Sequence, residues 1–472
     1  MILFSVFAFG ILVALLVRAF RVRRAAMLAS FFLVLPLAYR SFDITYLDLF
    51  GPIYAQEVNR FVGANGAAPI FIFAALSFIL PLLAIFPDRK EALPGLVEKP
   101  IPYSSYHRNM PNVMLVIGTL VLALLYVNFV LVGTIPLLQG IDRIDYNRSA
   151  GPIHNQVYEL NFLINFAFGA FTILPRLNGR DFDLRFAGLA LVLVLYWVLT
   201  GNRFAAFYVV LSFYFLPFSA VMLATASGRI RADALRSLTQ RFLASRSARS
   251  LGTVMVVALL GGLLLNSYFN VRSYREPWRE IQERVLVQPV QLWSTAWERV
   301  NYENISRPIN RQAIDEIIIN PINPNRSSTI QYLMTLELGF FRAEELTDLG
   351  QAYNGGYPEV HYEILGAWLP FLTLPLAGLF AAWFLTMCVR RLFDNMIVTA
   401  ILGIYVFFGL SLHYAGGMVT FMLFTSYWVK IGAFIIAYIA ESQINRRERR
   451  LLVAGMIRGV KAEIAAAPRP AT

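Results

Sequence analysis

Long apolar runs separated by short polar or basic turns make up most of the chain. Eleven runs approach or pass the roughly 18–20 residues needed to cross a hydrocarbon core. They are 2–17, 25–39, 67–86, 112–137, 157–175, 186–200, 204–225, 251–269, 364–388, 395–412 and 417–440. Three of them, 2–17, 25–39 and 186–200, are short, and their ends are the least sharply set. The first run has no positive flank ahead of it, and a basic cluster follows it. It therefore reads as a retained helix and not as a signal peptide. A mean hydropathy of +0.58 fits lipid as the solvent. A soluble chain of 472 residues would instead read as two or more domains. The pattern predicts an all-α polytopic membrane protein of about eleven spans.

The net charge of +12 gains meaning from its placement. Turns on the cytoplasmic side of a membrane collect Lys and Arg. Arg18, Arg21, Arg23 and Arg24 follow the first run, which puts that turn inside and the N-terminus outside. Alternation then makes 87–111, 176–185, 226–250, the Arg390–Arg391 turn and the tail inside, and each of these is basic. Of the 41 Lys and Arg, 26 fall inside and 14 outside, nine of the latter in one long loop, where the rule has little force. Topology and anionic headgroups thus account for most of the charge, and nucleic acid is not expected as a partner. The tail "NRRERRLLVAGMIRGVKAEI" reads as a basic amphipathic helix on the inner surface. Only Lys90, Lys99, Lys430 and Lys461 are lysines, and the arginine excess favours bidentate contact with phosphate oxygens.

Four regions follow: 1–269 with eight spans, a periplasmic loop 270–363, spans nine to eleven in 364–440, and a cytoplasmic tail 441–472. The loop is long enough to fold, and unstructured loops of that length are uncommon. Trp278, Ile281 and Val285 recur near helical spacing, Pro308 suits a helix start, and Gly350 suits a stop. Two to four short helices over the mouth of the bundle are expected, without an independent globular domain.

Candidate chemistry gathers on the outer face. "GTIPLLQGIDRIDYNRSAGPIH" holds Arg143, Tyr146, Arg148 and His154; "TGNRF" holds Arg203 in a tight turn. "VRSYREPWRE" adds Arg272, Arg275 and Arg279, and "HYAGG" adds His413. Each arginine has a plain alternative, snorkelling to headgroups, and Arg143 and Arg148 have Asp142 and Asp145 as partners in sequence. Arg203 lies in the tightest turn and has no basic neighbour. His154 and His413 also suit ordinary interface positions. The four histidines lack zinc-ligand spacing, and Cys388 is the single cysteine, so no metal or cofactor is expected. Within the runs, charge is scarce: Lys430 is the main exception and Glu159 sits at an edge. Ion-coupled transport needs buried acids, which weakens that reading. "GYPEVHYEIL", residues 356–365, sets His361 and Glu363 two positions apart where the long loop re-enters the membrane. An acid there also suits an ordinary helix first turn.

In "GTIPLLQGIDRIDYNR", "TGNRFAAFYVVLSFYF" and "PEVHYEILGAWLPFLTLPLAGLFAAWF", the chain resembles the Wzy-type O-antigen and oligosaccharide repeat-unit polymerases, and more distantly the O-antigen ligases. Two features depart from that family: an odd span count, and His361-Tyr362-Glu363 where a Gly-Glu or His-Asn pair is usual. The resemblance implies a GT-C-like bundle in a bacterial inner membrane that transfers glycans from undecaprenyl diphosphate without a metal. It implies arginines on the diphosphate (Arg203, Arg143, Arg148, Arg272, Arg275, Arg279), with Tyr146 and His413 beside the substrate. It also implies a general base, His361 or Glu363. A chain-length regulator is a further partner in that setting. Ligase, polysaccharide exporter and envelope-scaffold readings stay open at this point. In a Cys388→Ala background, cysteines at Ser237 and Ser294 should react with impermeant thiol reagents from opposite sides of the membrane. Labelling from one side overturns the span count.

Overall fold

The computed structural model describes residues 2–56, 58–87, 105–141, 143–202, 207–228, 230, 262, 277–300, 309–323, 327–348, 355–356, 358–415, 417–418, 420 and 423–466. In chain order the helices are α1 (Ile2–Val22), α2 (Arg24–Phe50), α3 (Ala68–Ile85), α4 (Ser105–Val132), α5 (Pro136–Gln139), α6 (Arg143–Ser149) and α7 (Pro152–Glu159). They continue with α8 (Asn161–Leu177), α9 (Leu184–Leu199), α10 (Phe218–Ala226), α11 (Pro277–Gln282), α12 (Gln291–Glu298), α13 (Arg311–Ile314) and α14 (Thr329–Leu338). The last are α15 (Phe340–Asp348), α16 (Glu359–Leu365), α17 (Pro370–Phe393), α18 (Ile397–Ala415) and α19 (Thr425–Ala466). One antiparallel hairpin, β1 (Ile53–Ala55) with β2 (Arg60–Val62), pairs Tyr54 with Phe61.

Among the described residues six helices are long and apolar enough to cross a membrane, or seven if α7 and α8, bent by 65°, form one broken span. Two shorter apolar helices, Leu184–Leu199 and Ile397–Leu412, coincide with further expected runs. The run 251–269 falls almost wholly outside the described residues. The protein is thus a mostly helical bundle of membrane-spanning character.

Burial separates the helices by role. In α1 only 17% of the most apolar window is buried, and Leu3 and Phe7 are exposed, as suits a face toward lipid; in α3 the share is 61%. Polar groups then fix the helix ends. The Asp48 carboxylate accepts from Ser5 Oγ and from the Gly66 and Ala68 amides, each at 3.0 Å, which caps the start of α3. Arg23 donates to the carbonyls of Leu83 (2.7 Å), Ala84 (2.5 Å) and Phe86 (3.2 Å). Those carbonyls end α3 and carry its negative dipole end, so a guanidinium there satisfies orphan acceptors. At the other end of the chain the Glu441 carboxylate takes the Val398 and Thr399 amides (3.1 and 2.9 Å) that open α18. Lys430 lies 4.5 Å from the Tyr405 ring centroid, a cation–π contact within the protein.

Several boundaries differ from expectation, two of them because a helix outlasts its apolar run. The second run was expected to end near residue 39, yet α2 continues to Phe50. Its added residues Arg40, Ser41, Asp43 and Asp48 are buried, so hydropathy falls while the helix goes on. The expected separate surface helix of the tail is instead the continuation of α19, an unbroken 42-residue helix. At 1.5 Å per residue that is about 63 Å, longer than a bilayer core is thick.

The loop folds as short helices docked on the bundle. Trp293 of α12 packs edge-on against Phe71 at 5.3 Å, and its indole N–H donates to the Ala67 carbonyl at 3.2 Å. Leu292, Ala296, Leu333, Met334, Ala343 and Leu346 form a small core between α12, α14 and α15. Ser294 is buried, so Glu345, with a side chain 58% exposed, is the better labelling site on this loop.

Close packing of α17 on α3 passes through Gly378, where an added Cβ would sit 2.3 Å from the Phe78 carbonyl oxygen. Backbone cannot yield as a side chain can. Gly378→Val should therefore cost about 1–3 kcal/mol through overpacking, read as a lower unfolding midpoint in detergent. An unchanged midpoint would show that the two helices are not in close contact.

Candidate active site at the re-entry helix

The α16 helix carries four titratable side chains, Glu359, His361, Tyr362 and Glu363, and all four are buried. Gly356, at φ +144°, turns the chain so that its amide donates to Glu359 Oε1 at 2.7 Å. The same oxygen takes Arg40 Nη2 at 2.6 Å. Arg40 also donates through Nε to the Pro289 carbonyl at 2.7 Å and lies 5.1 Å from the Phe71 ring centroid. One guanidinium thereby joins α2, α3, the 3-10 turn Gln288–Val290 and α16. Burial pushes the Glu359 carboxyl above the usual range, and Arg40 opposes that push.

Glu363 sits one turn further on. Its Oε1 accepts from Asn310 Nδ2 at 2.5 Å and pairs with Arg299 Nε at 3.3 Å. The Asn310 amide in turn donates to the Ile364 carbonyl at 3.0 Å, so the segment before α13 is fastened to α16 twice. His361 Nδ1 lies 2.8 Å from Thr373 Oγ1 on α17. Burial lowers the His361 pKa to about 4, so its imidazole is neutral at ordinary pH.

Thr373 also lines an apolar cavity of about 370 Å³. Leu33, Phe78, Leu376, Phe380, Phe407 and Leu410 form most of its wall, from α2, α3, α17 and α18. Leu376 and Phe380 are exposed, which leaves this wall open at the surface of the bundle. One titratable group of α16, His361, thus reaches through Thr373 a space suited to a hydrocarbon chain.

The other expected site residues are distributed as follows. Tyr146 is buried and accepts from Asn128 Nδ2 at 3.0 Å, with His154 edge-on at 5.2 Å. His154 itself meets Tyr196 Oη at 2.7 Å and Asn147 Oδ1 at 2.9 Å, which is a satisfied interior histidine. Arg148 lies 3.9 Å from Asp145, both side chains more than half exposed, a pair of little energetic weight. A Cβ on Gly201 would lie 3.4 Å from the Arg143 Cβ, so the 200–202 turn rests against the start of α6. Arg203, Arg272, Arg275 and Asp142 lie outside the described residues, as does the His413 side chain near the end of α18. Arg279 lies over the Tyr54 ring at 5.6 Å.

Arg40, Arg299, Thr373 and Glu359 were not singled out in the sequence. The available signal for Arg40 was "YRSFDITYLDLF", a stretch without helix breakers in which a lone arginine precedes two acids. A second ionic knot has no local sequence signal: Arg60 pairs with Glu337 (2.6 Å) and Glu298 (3.1 Å). It ties the hairpin to α12 and α14.

Residues 323–428 match a family of unknown function, DUF6418; this stretch contains α16, α17 and α18, while Arg40, Arg299 and Asn310 lie outside it. No curated protein and no solved structure gives a match.

Removing one partner of a buried ion pair strands the other charge. Arg40→Met should cost about 3–5 kcal/mol, and Arg40→Met with Glu359→Leu should recover most of that loss. Unfolding midpoints of the single and double variants decide this; equal losses in both would mean the pair is not coupled. A pH effect follows from His361. Its imidazole titrates near 4 when folded and near 6.5 when unfolded. Between those values the unfolded chain binds more protons. Stability from this group is therefore intact above about pH 6.5 and is lost as pH falls toward 4. His361→Gln should flatten that part of the stability curve, and parallel curves for variant and parent would place the imidazole in water.

Proposed function

We propose that the protein is a membrane glycosyltransferase that polymerises oligosaccharide repeat units carried on undecaprenyl diphosphate. The observation that carries this reading is the contact of His361, through Thr373, with an apolar cavity at the surface of the bundle. A polyprenyl-linked substrate has a long hydrocarbon chain, a diphosphate at the interface and a sugar beyond it. The cavity suits the first, arginines suit the second, and α16 suits the third. The family resemblance of the sequence points the same way.

In the reaction proposed, an acceptor sugar hydroxyl attacks the anomeric carbon of the donor glycan. A new C–O bond forms while the bond to the diphosphate breaks, and the diphosphate departs on its polyprenol. The hydroxyl proton passes to a base on α16, His361 or Glu363. Cations aimed at the departing diphosphate stabilise charge as it develops. Arg143, Arg148, Arg203, Arg272, Arg275 and Arg279 are assigned that work. The orientation proposed puts α16 and the loop on the periplasmic side of the inner membrane, with eleven spans, the N-terminus outside and the C-terminus inside.

The test is chain extension by purified protein in vesicles given a lipid-linked repeat unit. Wild type should give a ladder of lengthening products. His361→Ala and Glu363→Gln should reduce extension by about 10²–10⁴-fold, and Arg203→Lys should lower it strongly at normal protein level because the fork is lost. Transfer of a finished chain to lipid A-core sugars in place of a ladder would make the protein a ligase. Translocation without bond formation would make it an exporter.

A further inference from the structure

Threonines inside these helices mostly turn their hydroxyls back on their own backbone. Thr172, Thr225, Thr335 and Thr386 each donate to the carbonyl four residues earlier, at 2.6–2.9 Å. Thr373 does not. The Leu369 carbonyl takes the Thr373 backbone amide at 3.1 Å, and the hydroxyl points out of α17 to His361 Nδ1 at 2.8 Å. Among the described residues Thr373 Oγ1 has no other hydrogen-bond partner, and the cavity wall around it is otherwise almost entirely apolar. A hydroxyl has one proton to give. Were Nδ1 to donate to Thr373, that proton would point into apolar surroundings, where unmet donors are rare.

We infer that Thr373 donates to His361 Nδ1 and thereby fixes the imidazole as the Nε2–H tautomer, which makes His361 a neutral hydrogen-bond donor and Thr373 its positioning residue. A neutral imidazole carries one N–H, and the bond made at one nitrogen sets the role of the other. The lowered pKa, caused by burial, agrees with a ring that stays neutral. The catalytic consequence rests on the polymerase reading. His361 Nε2–H then donates to an oxygen that gains negative charge as the diphosphate leaves. The proton of the acceptor hydroxyl passes to the Glu363 carboxylate, so that α16 divides donor and base between its two groups.

Two measurements test this. The first needs no substrate: nitrogen-15 spectra of histidine-labelled full-length protein in lipid nanodiscs, with His361 assigned through His361→Gln. The expected spectrum shows an unprotonated Nδ1 and a protonated Nε2. Thr373→Ser should keep that signature and Thr373→Val should lose it. A protonated Nδ1 in the parent protein, or no change in Thr373→Val, overturns the inference. The second is chain extension. A glutamine amide nitrogen overlays imidazole Nε2 and donates but cannot act as a base. His361→Gln should therefore keep about a tenth of the parent rate while His361→Ala loses about 10²-fold or more. Thr373→Val should lower kcat about tenfold, the scale of one hydrogen bond, with KM unchanged. Equal loss in His361→Gln and His361→Ala would restore His361 as the base and overturn the inference. If the spectra hold while the parent protein extends nothing, the tautomer stands and the polymerase reading falls.

Discussion

The buried pair between Arg40 and Glu359 is the contact on which the site's architecture depends. Its 2.6 Å bond spans 319 positions of sequence and joins the second helix to the start of α16. Such a pair is costly to desolvate, and its attraction rarely exceeds that cost by much. What it provides is direction. A guanidinium that must meet a carboxylate, a carbonyl and an aromatic face together admits few positions for α16. With α16 fixed, His361 faces Thr373, and Glu363 faces Asn310 and Arg299.

That constraint also explains why the loop folds against the bundle. Among the described residues its helices bury only small apolar clusters of their own, one around Leu333 and one around Ile317. Clusters of that size do not stabilise a free domain. Trp293 on Phe71 and Arg60 with Glu337 supply the rest of the attachment. The loop is thereby held where the apolar cavity meets polar groups. The lipid-linked substrate proposed would require that meeting place, since its chain and its reacting sugar need different solvents within a few ångströms.

Much of the helical layout was legible in the sequence because lipid imposes so simple a rule: apolar for about 20 residues, then a polar turn. The rule failed where a helix outlasts its hydropathy. In α2, Arg40, Asp43 and Asp48 face the interior, so the helix continues although the run ends. In α19 the polar half follows the apolar half without a break. At the site, His361 and Glu363 stood out because titratable groups are scarce near the spans. Glu359 belongs to the same short stretch, yet nothing local shows that its partner is Arg40. Thr373 had no signal at all, since a threonine in an apolar helix is ordinary until its hydroxyl is seen to leave the helix.

The joint use of α16 and the apolar cavity is most directly tested by locating a bound substrate. A cryo-electron microscopy map of the full chain in nanodiscs, loaded with an undecaprenyl-diphosphate-linked oligosaccharide, would do so. The hydrocarbon chain should lie between Leu33, Phe78 and Phe407, with the diphosphate–sugar junction within hydrogen-bond reach of His361. A lipid chain seated on another face of the bundle, with its diphosphate away from α16, would contradict the assignment of α16 as the reacting centre.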